Sequence, residues 1–153
     1  MRDETDRRAA SFAAAAADFL TLVEKLDRPQ WNAASVEDGR PIGTIAHHVA
    51  LGHAIGHWRV IAAASGYPQP IQQGTAVERN AAHAFRTPAP DREMTLLLLR
   101  TGAVTLEAAI RSLGDEQLDT EITIGPATAT IGRLVNGTRE HVLEHTATVR
   151  RSV

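Results

Sequence analysis

Apolar residues recur along this chain at three- and four-residue steps, the spacing that places side chains on one face of an α-helix. Four long segments show this pattern, at about residues 3–26, 41–65, 91–113 and 131–151. Asp91 and Thr130 are suited to cap the last two, and Gly66 and Gly114 follow the second and third as stops. A shorter helical segment covers about residues 75–85. The pattern therefore predicts an all-α protein with four long helices and one short extra helix.

The connections between these segments also carry information about the fold. The Arg-Pro pair at 28–29 ends the first helix, because proline disfavours helical backbone in the residue before it, and a loop containing Trp31 is expected to follow. Residues 121–124 precede a Gly-Pro pair and are expected to form a short extended segment. These helix lengths and connections predict an antiparallel four-helix bundle in a single domain, residues 1–153.

Composition excludes several classes of function. A formal net charge of −2 disfavours electrostatic binding of nucleic acid, and no basic cluster indicates a membrane-surface site. No apolar run approaches the ~20 residues that cross a bilayer, and the charged N-terminus lacks a signal-peptide core, so a cytoplasmic protein is expected. The chain has no cysteine, which excludes disulfides, zinc–thiolate sites and cysteine nucleophiles. A metal site would therefore use nitrogen and oxygen ligands.

Two of the seven histidines stand four residues apart on the last predicted helix. His141 and His145 lie one turn apart on the same face and continue its apolar stripe, so both imidazoles can reach one divalent ion. A shared ion would satisfy both, whereas an unpaired buried polar group costs about 1–3 kcal/mol. Two histidines bonded to backbone or water are the alternative. Glu140 and Glu144 each precede a histidine and could accept an imidazole N–H or be solvated.

Four further histidines lie on the second predicted long helix, at His47, His48, His53 and His57. Helical periodicity does not choose among them. His48 lies at the edge of the apolar face, His47 points about 100° away from it, and His57 follows His53 by one turn. One or two could be metal ligands, and the others would be surface or packing residues. His83 stands alone on the short helix, where a structural role and a catalytic role both remain open.

These segments together resemble the DinB-like superfamily of metalloenzymes. The similarity covers about residues 30–150, and the residues that carry it are Trp31, Ile42, Ile45, His48, His141 and His145. Within the segment 41–50, the family pattern has branched aliphatic residues at three-residue steps before a ligand histidine, and His48 occupies that ligand position. Each motif is weak alone, and their order and separation make the resemblance specific.

The resemblance implies an up-down-down-up order of the four helices and frequent homodimers. It also implies one divalent ion, with zinc or nickel as the main candidates, held by His48, His141 and His145. Such an ion would activate water or a low-molecular-weight thiol toward a small-molecule substrate, in a hydrolase or a thiol S-transferase. The group that positions the nucleophile or moves its proton would be one of His83, Asn80 and Glu144.

Two other functions remain open at the level of sequence. A stress-related bundle could bind a metal or ligand through the same histidines without turnover. A purely structural bundle could use its histidines only to fill the core. The sequence identifies neither the substrate nor the native metal, and it leaves the roles of His47, His53, His57 and His83 undecided.

Overall fold

The computed structural model describes residues 3–69 and 72–153, so Met1, Arg2, Pro70 and Ile71 of the expected domain lie outside the described residues. Six α-helices are present in this part of the chain: α1 (Asp3–Glu24), α2 (Arg28–Asn32), α3 (Ile42–Ala64), α4 (Ala76–Arg86), α5 (Arg92–Arg111) and α6 (Ile131–Ser152). A 3₁₀ turn (Asp115–Asp119) and two strands, β1 (Glu121–Ile124) and β2 (Ala127–Thr130), precede α6. The prediction of an all-α protein is confirmed.

The four long helices α1, α3, α5 and α6 form a bundle in the up-down-down-up order. Arg92, at the start of α5, donates to the carbonyl of Glu24 at 2.7 Å, and Arg111 near its end contacts Asp6 at 3.0 Å, so α5 runs antiparallel to α1. α6 runs parallel to α1 and antiparallel to α3. The antiparallel pair α3 and α6 therefore face each other along their lengths.

Apolar side chains from all four long helices fill the core. The largest fully buried ones are Phe12, Phe19, Ile42, Ile45, Leu99, Leu106, Ile110, Leu113 and Ile131. These residues belong to the stripes read from the sequence, and burying each contributes roughly 1.5–3 kcal/mol. The packed core fixes the rotation of α3 and α6, and thereby decides which of their side chains meet.

The segment after α1 differs from its prediction as a loop. Residues 28–32 form α2, which begins at a capping box between Asp27 and Gln30. α1 ends at Glu24, before the Arg-Pro pair that was expected to end it, and Pro29 lies in the first turn of α2, where proline is tolerated. Trp31 of α2 is buried against Gly43, where an added Cβ would lie 2.3 Å from the indole nitrogen. This contact anchors the start of α3.

The extended segment at 121–124 is confirmed, but its partner was not predicted from the sequence. β1 pairs antiparallel with β2, and Gly125 occupies the turn with a φ of 60°. The side chain of Thr130, the last strand residue, accepts a hydrogen bond from the Arg133 N–H at 3.1 Å and caps α6 as expected. The hairpin thus sets where α6 starts. Throughout the described ranges, every helix is too short or too polar to cross a bilayer.

Candidate metal centre

The structure brings His48, His141 and His145 together at the interface of α3 and α6. His48 lies in the second turn of α3, and the two histidines of α6 lie one turn apart on the face toward it. Gly52, one turn after His48, makes room for the His141 ring. A Cβ at this glycine would lie 2.6 Å from Cε1 and 2.9 Å from Nδ1 of that ring. The close approach of the two helices therefore depends on a residue without a side chain.

The three rings are arranged so that one nitrogen from each points to a common region. The Nε2 atoms of His48 and His141 are 3.0 Å apart, and one ligand atom from each of the three residues lies within 4.8 Å of the others. Two imidazole nitrogens bound tetrahedrally to one zinc ion at 2.0–2.1 Å would be roughly 3.3 Å apart. The observed spacing is close to that value, so the three histidines could hold a metal ion.

The environment keeps these imidazoles neutral, as a metal ligand must be. Burial, followed by the charge of the neighbouring imidazoles, lowers the pKa of His48 and of His145 to about 3. Burial also lowers the pKa of His141, and the charge of Arg40 adds to the effect. The buried Nδ1 of His145 has no hydrogen-bond partner within the described ranges. A set of three neutral nitrogen donors suits zinc and nickel.

A second pair of histidines adjoins this cluster. Nδ1 of His47 and Nε2 of His83 are 3.0 Å apart, and the two rings stack with their centroids at 5.2 Å. The His83 ring is 5.5 Å from that of His48. Burial lowers the pKa of both His47 and His83. α4 thus places His83 beside the cluster that α3 and α6 form.

Arg40 is a site residue that sequence reasoning missed. It is only 8% exposed, and its charge contributes to the lowered pKa of His48, His141 and His145. Its Nε donates to Oδ2 of Asp38 at 2.7 Å. No periodicity or motif marks an arginine in a loop, so the only available signal was its position directly before the Pro-Ile start of α3.

The remaining candidate residues differ in their burial and in the groups that they contact. Asn80 is half-buried on α4, one turn before His83, and Glu144 is exposed on α6. Nδ1 of His57 is 3.0 Å from the carbonyl oxygen of Thr105 on α5, away from α6. His53 is buried, with its ring edge-on to Phe12 at 5.4 Å.

Comparison with known proteins defines what this chain is similar to. The sequence model of the DinB superfamily matches residues 11–149. No curated protein matches the sequence.

Solved structures with a similar backbone include YfiT from Bacillus subtilis, described as a probable metal-dependent hydrolase with an unusual four-helix bundle topology. It has a TM-score of 0.81 and 17% identity, and the alignment covers 99% of this chain and 87% of YfiT. The mycothiol-dependent maleylpyruvate isomerase has a TM-score of 0.76 and 13% identity, over 95% of this chain. This chain covers 60% of the isomerase's length. At these identities the likeness establishes the fold.

Proposed function

The chain belongs to the DinB superfamily, and we propose that it is a metal-dependent enzyme whose divalent ion is held by His48, His141 and His145. The observation that carries this proposal is the convergence of three neutral imidazoles from two helices, with ligand atoms within 4.8 Å of one another. Three protein ligands are typical of catalytic zinc sites, which keep a further position open for water or substrate. Zinc and nickel are the proposed ions.

A divalent ion at this position would lower the pKa of a bound water or thiol and supply a nucleophile near neutral pH. The residues around the ion have separate roles. His48, His141 and His145 hold the ion, and burial keeps them unprotonated at pH 7. Gly52 lets α3 approach the ring of His141 and so sets the separation of the ligands.

We propose His83 as the group that accepts a proton from the nucleophile. Its ring lies beside His48, and its lowered pKa leaves it neutral and able to accept a proton at pH 7. The contact between Nε2 of His83 and Nδ1 of His47 offers the proton a path toward the second ring. Asn80, one turn before His83, is the candidate for positioning the nucleophile, and Glu144 is the less favoured candidate because it is exposed on α6.

The proposed reaction is hydrolysis, or transfer of a low-molecular-weight thiol, on a small-molecule substrate. The hydrolase description of YfiT supports the first, and the mycothiol dependence of the isomerase supports the second. We further propose a homodimer. An exposed apolar stripe on α3, formed by Leu51, Ile55 and Trp58 at helical spacing, supports it.

A non-catalytic metal- or ligand-binding bundle is the second candidate function. Two surface cavities, of about 280 and 540 Å³, lie away from the histidine cluster and could take a ligand that does not contact the ion. One is lined by Arg7 and Arg139, and the other by Trp31 and Arg92. A protein of this kind would hold the ion but convert no substrate.

Elemental analysis of untagged protein, purified without chelators, tests the proposal. About one ion per chain is expected in the wild type and in His57→Ala, whose imidazole contacts Thr105 instead of the cluster. His145→Ala should lose the ion. A hydrolase and thiol-transferase screen with the identified ion then separates the enzyme from the binding protein. Absence of metal from all three proteins, even after incubation with zinc or nickel, would refute both metal-dependent functions.

A further inference from the structure

Arg40 is a buried cation that the chain pairs only in part. Its side chain is 8% exposed, and its Nε donates to Oδ2 of Asp38 at 2.7 Å. Its Nη1 is buried and has no hydrogen-bond partner anywhere in residues 3–69 and 72–153. A buried charged donor without a partner is destabilising. The arrangement therefore suits an acceptor that comes from outside the chain.

The loop that carries Arg40 is attached to α6 next to the histidine cluster. The hydroxyl of Thr148 donates to the carboxylate of Glu37, and the Val36 N–H donates to Oγ of Ser152 at 3.1 Å. Thr148 lies one turn after His145, so the loop covers the α6 side of the cluster. At its other end the loop leads directly into α3, two residues after Arg40. The loop is thus held between the two helices that supply the proposed metal ligands, and the charge of Arg40 reaches all three histidines.

The balance of charge at this place favours an anion. The three histidines are neutral, so a divalent ion and the Arg40 guanidinium would together place three positive charges beside one another. Asp38 offsets one of them through its contact with Nε, and Glu37 is hydrogen-bonded to Thr148 instead of to Arg40. A guanidinium presents planar N–H donors that match the oxygens of a carboxylate.

We propose that Arg40 binds a carboxylate of the substrate, so that the proposed metal enzyme acts on small carboxylic acids. The hydrogen bond to Asp38 uses Nε, so the Nη donors remain for a planar acceptor with two oxygens such as a carboxylate, whereas a phosphate usually collects donors from several residues. Asp38 acts as a positioning residue that holds the guanidinium by Nε. This inference rests on the proposed function for the reaction, but Arg40 can be tested by binding alone.

Calorimetric titration of the full chain, as purified and with its metal content measured, tests the assignment. The probes are succinate, its neutral diamide and inorganic phosphate. Succinate should bind the wild type, and about 10- to 100-fold more weakly to Arg40→Gln, the effect of losing one or two charge-assisted hydrogen bonds. Arg59→Gln is the matched control. Arg59 is a half-buried arginine with an unpartnered Nε, about 16 Å along α3 from His48.

Several results would overturn the inference. These are equal succinate affinity in the wild type and Arg40→Gln, equal affinity for the diamide, or a preference for phosphate. Arg40→Lys keeps the charge but loses the planar donors, so it should bind succinate with intermediate affinity. If Arg40→Gln does not fold, the succinate affinity of Arg40→Lys tests the role of Arg40 instead. A wild type that binds no metal even after incubation with zinc or nickel would refute the proposed function, and the same titrations would still decide the role of Arg40.

Discussion

Two places on α3 hold histidines that are partly or fully buried, and they differ in what the imidazoles contact. His48 meets His141 and His145 of α6, with ligand atoms within 4.8 Å of one another. His53 is 2% exposed and meets the ring of Phe12, and neither of its nitrogens completes a hydrogen bond of normal geometry with a described residue. Burial is the largest cause of a lowered pKa at both places. Burial and a perturbed pKa therefore do not distinguish the two places, whereas the convergence of several nitrogens is found at His48 and supports a metal site there.

At each of the two places a glycine allows a neighbouring helix to pack closely. An added Cβ at Gly52 would lie 2.6 Å from the His141 ring, and one at Gly102 would lie 2.9 Å from Cβ of His53. Both glycines let a neighbouring helix come close to a histidine, as expected for glycine in a packed interface. Only at the first does the close approach join imidazoles from two helices. Parallel substitutions at the two places test whether only the first binds a metal ion.

The largest difference is expected from removing one histidine at each place. His48→Ala deletes a proposed ligand and should weaken zinc binding by more than about 100-fold, which is the upper range for residues that only support a ligand. His53→Ala should leave zinc affinity within about threefold while lowering stability by about 2–4 kcal/mol through the cavity it opens. Competition with a chromophoric chelator measures the first, and urea unfolding the second. Equal zinc affinities in the two variants would show that His48 is no more a metal ligand than His53.

The second difference concerns pH, measured on the metal-free protein by urea unfolding of the wild type and His53→Leu. Burial lowers the pKa of His53 to about 4, with His141 adding to the shift and the Leu99 backbone opposing it. The unfolded chain, with an ordinary pKa near 6.5, binds the proton more readily. The contribution of neutral His53 is therefore complete above pH 6.5 and is lost as pH falls toward 4.

Across that window the wild type should lose on the order of 3 kcal/mol more stability than His53→Leu. Leucine has no titrating group, so the difference between the two unfolding free energies isolates His53 from the other histidines. Parallel pH profiles for the two proteins would show that His53 is protonated as easily in the folded state as in the unfolded one.

The third and smaller difference comes from the two glycines. Gly52→Ala should weaken zinc binding by about tenfold, because its Cβ displaces the His141 ring from its position. Gly102→Ala should cost about 1–3 kcal/mol of stability through overpacking and leave zinc affinity unchanged. Calorimetric zinc titration and urea unfolding of both variants make the test. Loss of zinc affinity in Gly102→Ala would mean that the two places are mechanically coupled.

The smallest effect is expected at Glu144, which neighbours His145 in sequence but is exposed on α6. Glu144→Gln should change the unfolding free energy by less than about 0.5 kcal/mol and leave zinc affinity unchanged. The same chelator competition and urea unfolding apply. A loss of affinity as large as that of His48→Ala would require the carboxylate to contact the ion or its ligands.

Local periodicity was enough to predict the long helices and the pairing of His141 with His145. The four-residue spacing puts these rings on one face whatever the helix packs against. The choice of His48 among the four histidines of α3 came from the register of the resemblance. The hairpin partner β2 and the helix α2 were missed, because a four-residue strand and a five-residue helix are decided by the contacts around them.

The rest of the site depends on how distant segments approach in space. His83 reaches His48 through α4, which is joined to α3 by a hydrogen bond from Thr44 to the carbonyl of Thr87 at 2.9 Å. Arg40 is buried because its loop is tied to the end of α6. Neither contact has a periodic signature, since the partners are far apart in sequence.

The helices, the faces they bury and the two histidines of α6 can be read from the sequence, because these features follow from interactions within a few residues. The family resemblance indicated His48, but the packing of the helices was needed to show that it meets these two, that His53 meets a phenyl ring and that Arg40 lies beside the cluster. These outcomes depend on the rotation and separation of packed helices. The whole core sets both, together with small residues such as Gly52 that allow close approach.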